Sequence, residues 1–191
     1  MNPVLKKYLV VSLTLGAITG GSALLIGLTN TITADRIIEN AVKKENNGLK
    51  NVFTDIDGNV VEGQKFNSVE LNADTSYTYV QKIWNVLASD DSSLGTIYKT
   101  SGKNAYGSVT LLLGFDTKKS FKKMVVLENT ETYGSTLDEK YIKPLNAGEI
   151  ELADTTCGAT FGAKLIKAMV EEAKTDLGSE TDSGATTEGE W

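Results

Sequence analysis

Ser108-Val109-Thr110-Leu111-Leu112-Leu113-Gly114-Phe115 is the stretch that sets the fold class. Val109, Leu111, Leu113 and Phe115 fall on one face of an extended chain, and Ser108, Thr110, Leu112 and Gly114 on the other. That is the two-residue period of a strand with one face in a core. Asp116-Thr117-Lys118-Lys119 reads as a turn, and Phe121 to Glu128 returns as an antiparallel partner carrying Met124, Val125, Val126 and Leu127. Upstream, Tyr79 to Leu87 has Val80, Trp84 and Leu87 at helical spacing, yet its Tyr, Ile, Trp and Val content favours a strand. Ser89 to Ser93 suits a hairpin loop into a further strand from Gly95 to Thr100, so strand is the reading adopted. Leu49 to Phe53 is another strand candidate, and Glu62 to Thr78 gives no clear signal. Ser101 to Gly107 and Glu131 to Thr136 read as loops, the second leading into a short helix from Leu137 to about Asn146. A last helix starts near Thr160 and fades by Leu177, with Phe161, Leu165, Met169 and Ala173 on one buried stripe. Two helices and about five antiparallel strands make a small α+β domain.

Before that domain lies residues 8–28, an uncharged run opening Tyr8-Leu9-Val10-Val11. About 20 apolar residues span a bilayer core. A secretory signal is the competing reading, but its apolar region is usually about 7–15 residues, and Leu28-Thr29-Asn30 is a poor cleavage site. A retained membrane helix is expected. Lys6 and Lys7 precede the run, while the first charges after it are Asp35 and Arg36. The positive-inside rule then places residues 1–7 in the cytoplasm and the remainder outside. Gly16 and Gly20 leave one face of the span smooth enough for another helix. Residues 29–48 read as a helical connector ended by Asn46-Asn47-Gly48, residues 49–177 as the extracytoplasmic domain, and residues 178–191 as an acidic Ser/Thr/Gly-rich tail of disordered composition.

The 191 residues hold 25 Asp and Glu against 19 Lys and Arg, for a net charge of −6. Two of the lysines precede the span, so the domain is more acidic still, which argues against nucleic acid as a partner. There is one cysteine, Cys157, and no histidine. Internal disulfides are excluded, and a structural zinc site, an iron–sulfur cluster or a histidine-based triad nearly so. Redox work in this chain needs an organic cofactor or a partner.

Asp154-Thr155-Thr156-Cys157-Gly158-Ala159-Thr160 is a small, hydroxyl-rich turn that feeds the last helix. Free N–H groups and the positive dipole end at a helix start suit a phosphate. Gly158 and Ala159 allow close approach to the backbone. On residue chemistry alone, Thr160 is as readily a plain helix cap, and Asp154 an Asx-turn residue.

The string resembles the flavinylation signature Asp-Gly-x-Ser/Thr-Gly-Ala-Thr of membrane-bound flavoproteins, in which the final threonine carries FMN through a phosphoester bond. Asp154, Gly158, Ala159 and Thr160 match; Thr155 replaces Gly, and Cys157 replaces Ser/Thr. Further stretches resemble one family in the same order, the G subunit of the Rnf ion-translocating electron transport complex. These are the span closing on Leu28-Thr29-Asn30 and Thr33-Ala34-Asp35-Arg36-Ile37, the loop Gly102-Lys103-Asn104-Ala105-Tyr106-Gly107 with its following strand, and Glu131-Thr132-Tyr133-Gly134, similar to a Glu-Thr-Pro-Gly loop. The related C subunit of the Na+-translocating NADH:quinone oxidoreductase is the second choice.

The resemblance implies an electron-transfer subunit that is not catalytic alone, with an FMN-binding domain and covalent FMN on Thr160. It implies other membrane subunits as partners and a flavin transferase for maturation. Loops beside a sheet commonly carry cofactor contacts, so Tyr106, Thr132, Tyr133 and Gly134 are candidate flavin contacts, beside Cys157 and Asp154 in the attachment turn. Ordinary turn chemistry is the competing reading for the loops, as is a membrane-tethered binding or structural module without cofactor for the whole chain. An extracellular flavin reductase acting alone is disfavoured by the lack of a nucleotide-binding glycine fingerprint. Ser183-Gly184-Ala185-Thr186 repeats the last four motif positions in the tail, but Glu180 stands where the motif has Asp, and no helix follows Thr186.

Overall fold

The computed structural model describes residues 2–54, 58–73 and 75–179. The chain forms two compact units, Met1–Lys44 and Glu45–Trp191. From Pro3 onward the first is helical and belongs to α1 (Pro3–Lys50), a helix long and apolar enough to cross a membrane. Its apolar side chains, Leu9, Leu13, Leu24 and Ile26 among them, are exposed. The hydroxyls of Thr14, Thr19, Ser22 and Thr29 donate back to carbonyls one turn earlier, at 2.8–2.9 Å. Such internal pairing hides polar groups that hydrocarbon could not satisfy.

The second unit is an antiparallel meander of β1 (Lys65–Val69), β2 (Val80–Leu87), β3 (Ser93–Asn104), β4 (Gly107–Asp116) and β5 (Phe121–Asn129), in that spatial order. Then come α2 (Gly134–Leu137), a π turn (Asp138–Ile142), α3 (Lys143–Ala147) and α4 (Thr160–Ser179). The π turn sits just before Pro144, which has no N–H to offer an α-helical ladder. It leaves the adjacent Tyr141 and Ile142 both buried. The fold is α+β, as expected.

The expected alternation of β4 holds, but both faces are covered. Val109, Leu111, Leu113 and Phe115 pack with Leu165, Met169 and Ala173 of α4 and with Leu137 and Tyr141. On the other face, Leu112 packs with Leu49, Val52, Phe53, Trp84 and Leu127. Burying a large apolar side chain contributes roughly 1.5–3 kcal/mol, so each face is a core of its own.

That second core corrects two expectations. Leu49 to Phe53 is not a strand: α1 continues through Lys50, and only Thr54 makes an isolated bridge, to Val60. Nor does Asn46-Asn47-Gly48 end the helix. Gly48 is buried because the sheet passes it closely; a β-carbon there would lie 2.9 Å from both Leu112 and Leu127. Packing against those leucines wins over the local stop signal. Lys99 and Lys82 flank the Glu45 carboxylate at the same face, and Lys82 also lies 4.6 Å from the Trp84 ring centroid.

Two further differences concern extended chain. β1 lies inside the stretch that gave no signal, its residues Lys65-Phe66-Asn67-Ser68-Val69 being too polar to show a periodic core face. Ser101 to Asn104, expected as loop, is the end of β3 and pairs in register as far as Asn104 with Gly107. Phe161 is exposed rather than on the buried stripe of α4. Gly178 and Ser179, expected in the tail, belong to α4; the rest of the expected tail and the Thr186 repeat lie outside the described residues.

Candidate functional site

Three segments distant in sequence meet at one end of the sheet. The first is the tip of the β3–β4 hairpin. Asn104 Oδ1 accepts from the Tyr106 N–H at 2.7 Å, which folds Ala105 and Tyr106 into a tight turn. Gly107 follows at φ 147°, where a β-carbon would lie 2.5 Å from the Thr130 carbonyl oxygen. Only glycine fits there.

The second segment continues β5. Thr130 N–H donates to Ser108 O, and Thr132 donates to Tyr106 O through its N–H (2.9 Å) and its hydroxyl (3.2 Å). Glu131, between them, is turned inward and is 8% exposed. The Asn104 amide donates to its Oε1, so one asparagine shapes the hairpin tip and holds the carboxylate. Gly134 N–H closes a turn on Glu131 O at 3.0 Å, and Tyr133 O accepts from Leu137 at the start of α2.

The third segment is the turn into α4. Asp154 Oδ1 accepts from Thr156 N–H at 3.2 Å, an Asx turn, and Gly158 sits at φ 84°. Ala159 O accepts from Ala163 N–H, which makes Ala159 the cap residue. Thr160 is therefore the first helical residue and not the cap. The N–H groups of Thr160, Phe161 and Gly162 have no intrahelical acceptors, and alanine has no side chain with which to cap them. The Thr160 hydroxyl, half-buried, has no hydrogen-bond partner among the described residues.

Together these segments enclose an open cleft of about 250 Å³ lined by Tyr106, Glu131, Tyr133, Gly158, Ala159, Thr160, Phe161 and Gly162. Tyr106 stands between two other rings, its centroid 5.9 Å from that of Tyr133 and 5.3 Å from that of Phe161. Such spacings suit mutual aromatic contact and leave ring faces and edges for a further planar group. The volume lies below the roughly 300–1,000 Å³ of pockets that engulf a ligand, so a larger molecule would be held in part and exposed in part.

Of the residues expected at the site, Tyr106, Tyr133, Gly158, Ala159 and Thr160 line this cleft. Asp154, Cys157, Thr132 and Gly134 do not. Asp154, Thr132 and Gly134 instead shape the turns that carry the lining residues. Cys157 is half-buried against the core beneath α4, where burial, and after it Cys157, raises the phenol of Tyr141. Sequence reasoning missed Glu131, Phe161 and Gly162 as lining residues, and Asn104 as the residue behind Glu131. Phe161 and Gly162 follow Thr160 directly, and Glu131 heads the Glu-Thr-Tyr-Gly loop; what was lacking was a reason to turn those side chains toward the cleft. No protein-family model matches the chain, and no curated protein matches it.

Proposed function

We propose that the second unit carries covalent FMN on Thr160 and serves as an electron-transfer subunit of a membrane-bound ion-pumping oxidoreductase, of the Rnf type. The supporting observation is the placement of Thr160: its unpartnered, half-buried hydroxyl stands at the mouth of a cleft walled by Tyr106, Tyr133 and Phe161.

The lining fits the group in three respects. The Thr160 oxygen is free to carry a phosphate through a covalent bond. Gly158 and Ala159 put no bulk beside that oxygen. The rings offer stacking surface for a planar cofactor. Bound there, FMN would supply one- and two-electron chemistry that no side chain of this histidine-free chain provides. Asp154 serves by shaping the attachment turn. Tyr106 and Tyr133 would orient the ring, and the partial enclosure would leave an edge open for electron exchange with neighbouring subunits.

Helix α1 would tether the unit to the membrane, with Lys6 and Lys7 on the cytoplasmic side and Glu45 onward outside.

The test is attachment. The full chain made together with a flavin transferase should show flavin fluorescence in a denaturing gel. Thr160→Ala should abolish it, while Thr186→Ala should leave it intact. A chain that stays dark beside a positive control domain would overturn the reading and favour a tethered module without cofactor.

A further inference from the structure

Of the residues lining the cleft, Glu131 alone bears a formal charge. Its Oε1 is taken by Asn104, while Oε2 has no hydrogen-bond donor among the described residues and faces the first turn of α4 at Gly162. The helix start where an anion would ordinarily settle thus already faces a carboxylate. No lysine or arginine lines the cleft, and Lys164, one turn after Thr160, is exposed outside it.

We propose that Glu131 makes the cleft select an uncharged planar ring with an N–H to donate, and select against a free phosphate-bearing ligand. The cofactor-free chain then binds riboflavin more tightly than FMN, and the Thr160 linkage, not the cleft, retains the phosphate. This inference rests on the flavin reading of the cleft.

Riboflavin and FMN offer the same ring and differ by a phosphate of about −1.5 to −2 charge at neutral pH. A ring N–H donating to Glu131 Oε2 makes a charge-assisted hydrogen bond that both ligands share. The phosphate meets the same carboxylate across a partly buried cleft, where repulsion is screened less than in water. Esterification to Thr160 removes part of that charge and holds the rest by a covalent bond. Binding strength and attachment are thereby assigned to different groups, Glu131 and Thr160.

The experiment uses the full chain in detergent, produced without flavin transferase and titrated separately with riboflavin and with FMN by flavin fluorescence quenching. At low salt, riboflavin should bind about tenfold more tightly. The gap should narrow with added salt and close in Glu131→Gln, with riboflavin itself weakened. Equal or tighter binding of FMN to the wild-type chain overturns the proposal. So does a gap that persists in folded Glu131→Gln, or, if that variant does not fold, a wild-type gap indifferent to salt. Transferase labelling run in parallel separates the two readings. Labelling of Thr160 without a riboflavin preference sinks this inference alone; neither binding nor labelling sinks both.

Discussion

Gly162 passes beneath Glu131 with no room for a side chain: a β-carbon on the glycine would overlap the carboxylate Oε2 and lie 2.7 Å from Leu137 Cδ2. Alanine is the better helix former by up to about 1 kcal/mol, but overpacking a tight site costs about 1–3 kcal/mol. Glu131 is buried and tied to Asn104, so it cannot simply swing aside. Gly162→Ala is therefore expected to destabilise the unit by roughly 1–2 kcal/mol, read as a lowered urea midpoint. A midpoint at or above wild type would mean the carboxylate moves freely.

Phe161 and Met169 share the helical stripe in sequence and part company in the structure, at 61% and 0% exposure. Phe161→Ala is expected to cost less than about 1 kcal/mol, since it removes one aromatic contact with Tyr106 and little burial. Met169→Ala should cost about 2–5 kcal/mol. Denaturant unfolding of the two variants side by side checks the ranking.

Burial pushes the phenol of Tyr141 up to about 12, helped by Cys157, Asp154 and Glu171 nearby. In the unfolded chain the same group loses its proton near 10. The fold thus favours the neutral phenol: its contribution is complete below pH 10 and is lost as pH rises from 10 toward 12. Tyr77, raised by burial and by Asp176, acts with the same sign. Stability should fall through that alkaline window. Tyr141→Phe should decline less steeply than wild type, although it starts lower for want of the bond to Leu152 O. Parallel slopes would contradict the assignment.

The lysines before the uncharged run predict the orientation of the span. Protease added to intact cells with a permeabilised outer layer should digest the domain. Digestion only in inverted vesicles would place it on the cytoplasmic side, and would remove the basis for an outward-facing flavin.

Legibility in the sequence followed the strength of local periodicity. β4 could be read because alternating large apolar residues have few other arrangements, and β5 because a turn leads from β4 into a second apolar run. β1 could not, since a polar edge strand is defined by its neighbour and not by its own side chains. Leu112 was assigned to the correct face, but nothing local tells that Leu49 and Val52 will cover that face. At the cleft, the turn from Asp154 to Thr160 was legible as a turn into a helix. The inward rotation of Glu131 was not, because it depends on Asn104, which the hairpin register delivers from another segment.

The last turn of α1 also fixes where the chain can be cut. Gly48 and Leu49 belong to the core beneath Leu112, Val125 and Leu127, and Glu45 is the first residue of the compact unit. A soluble fragment begun after Lys50 would contain every strand and every site residue, yet would bare an apolar face of the kind that drives self-association. Begun a turn or two before Glu45, the same fragment keeps its lid and should remain monomeric. The practical boundary of the domain therefore lies inside a helix and not in a loop.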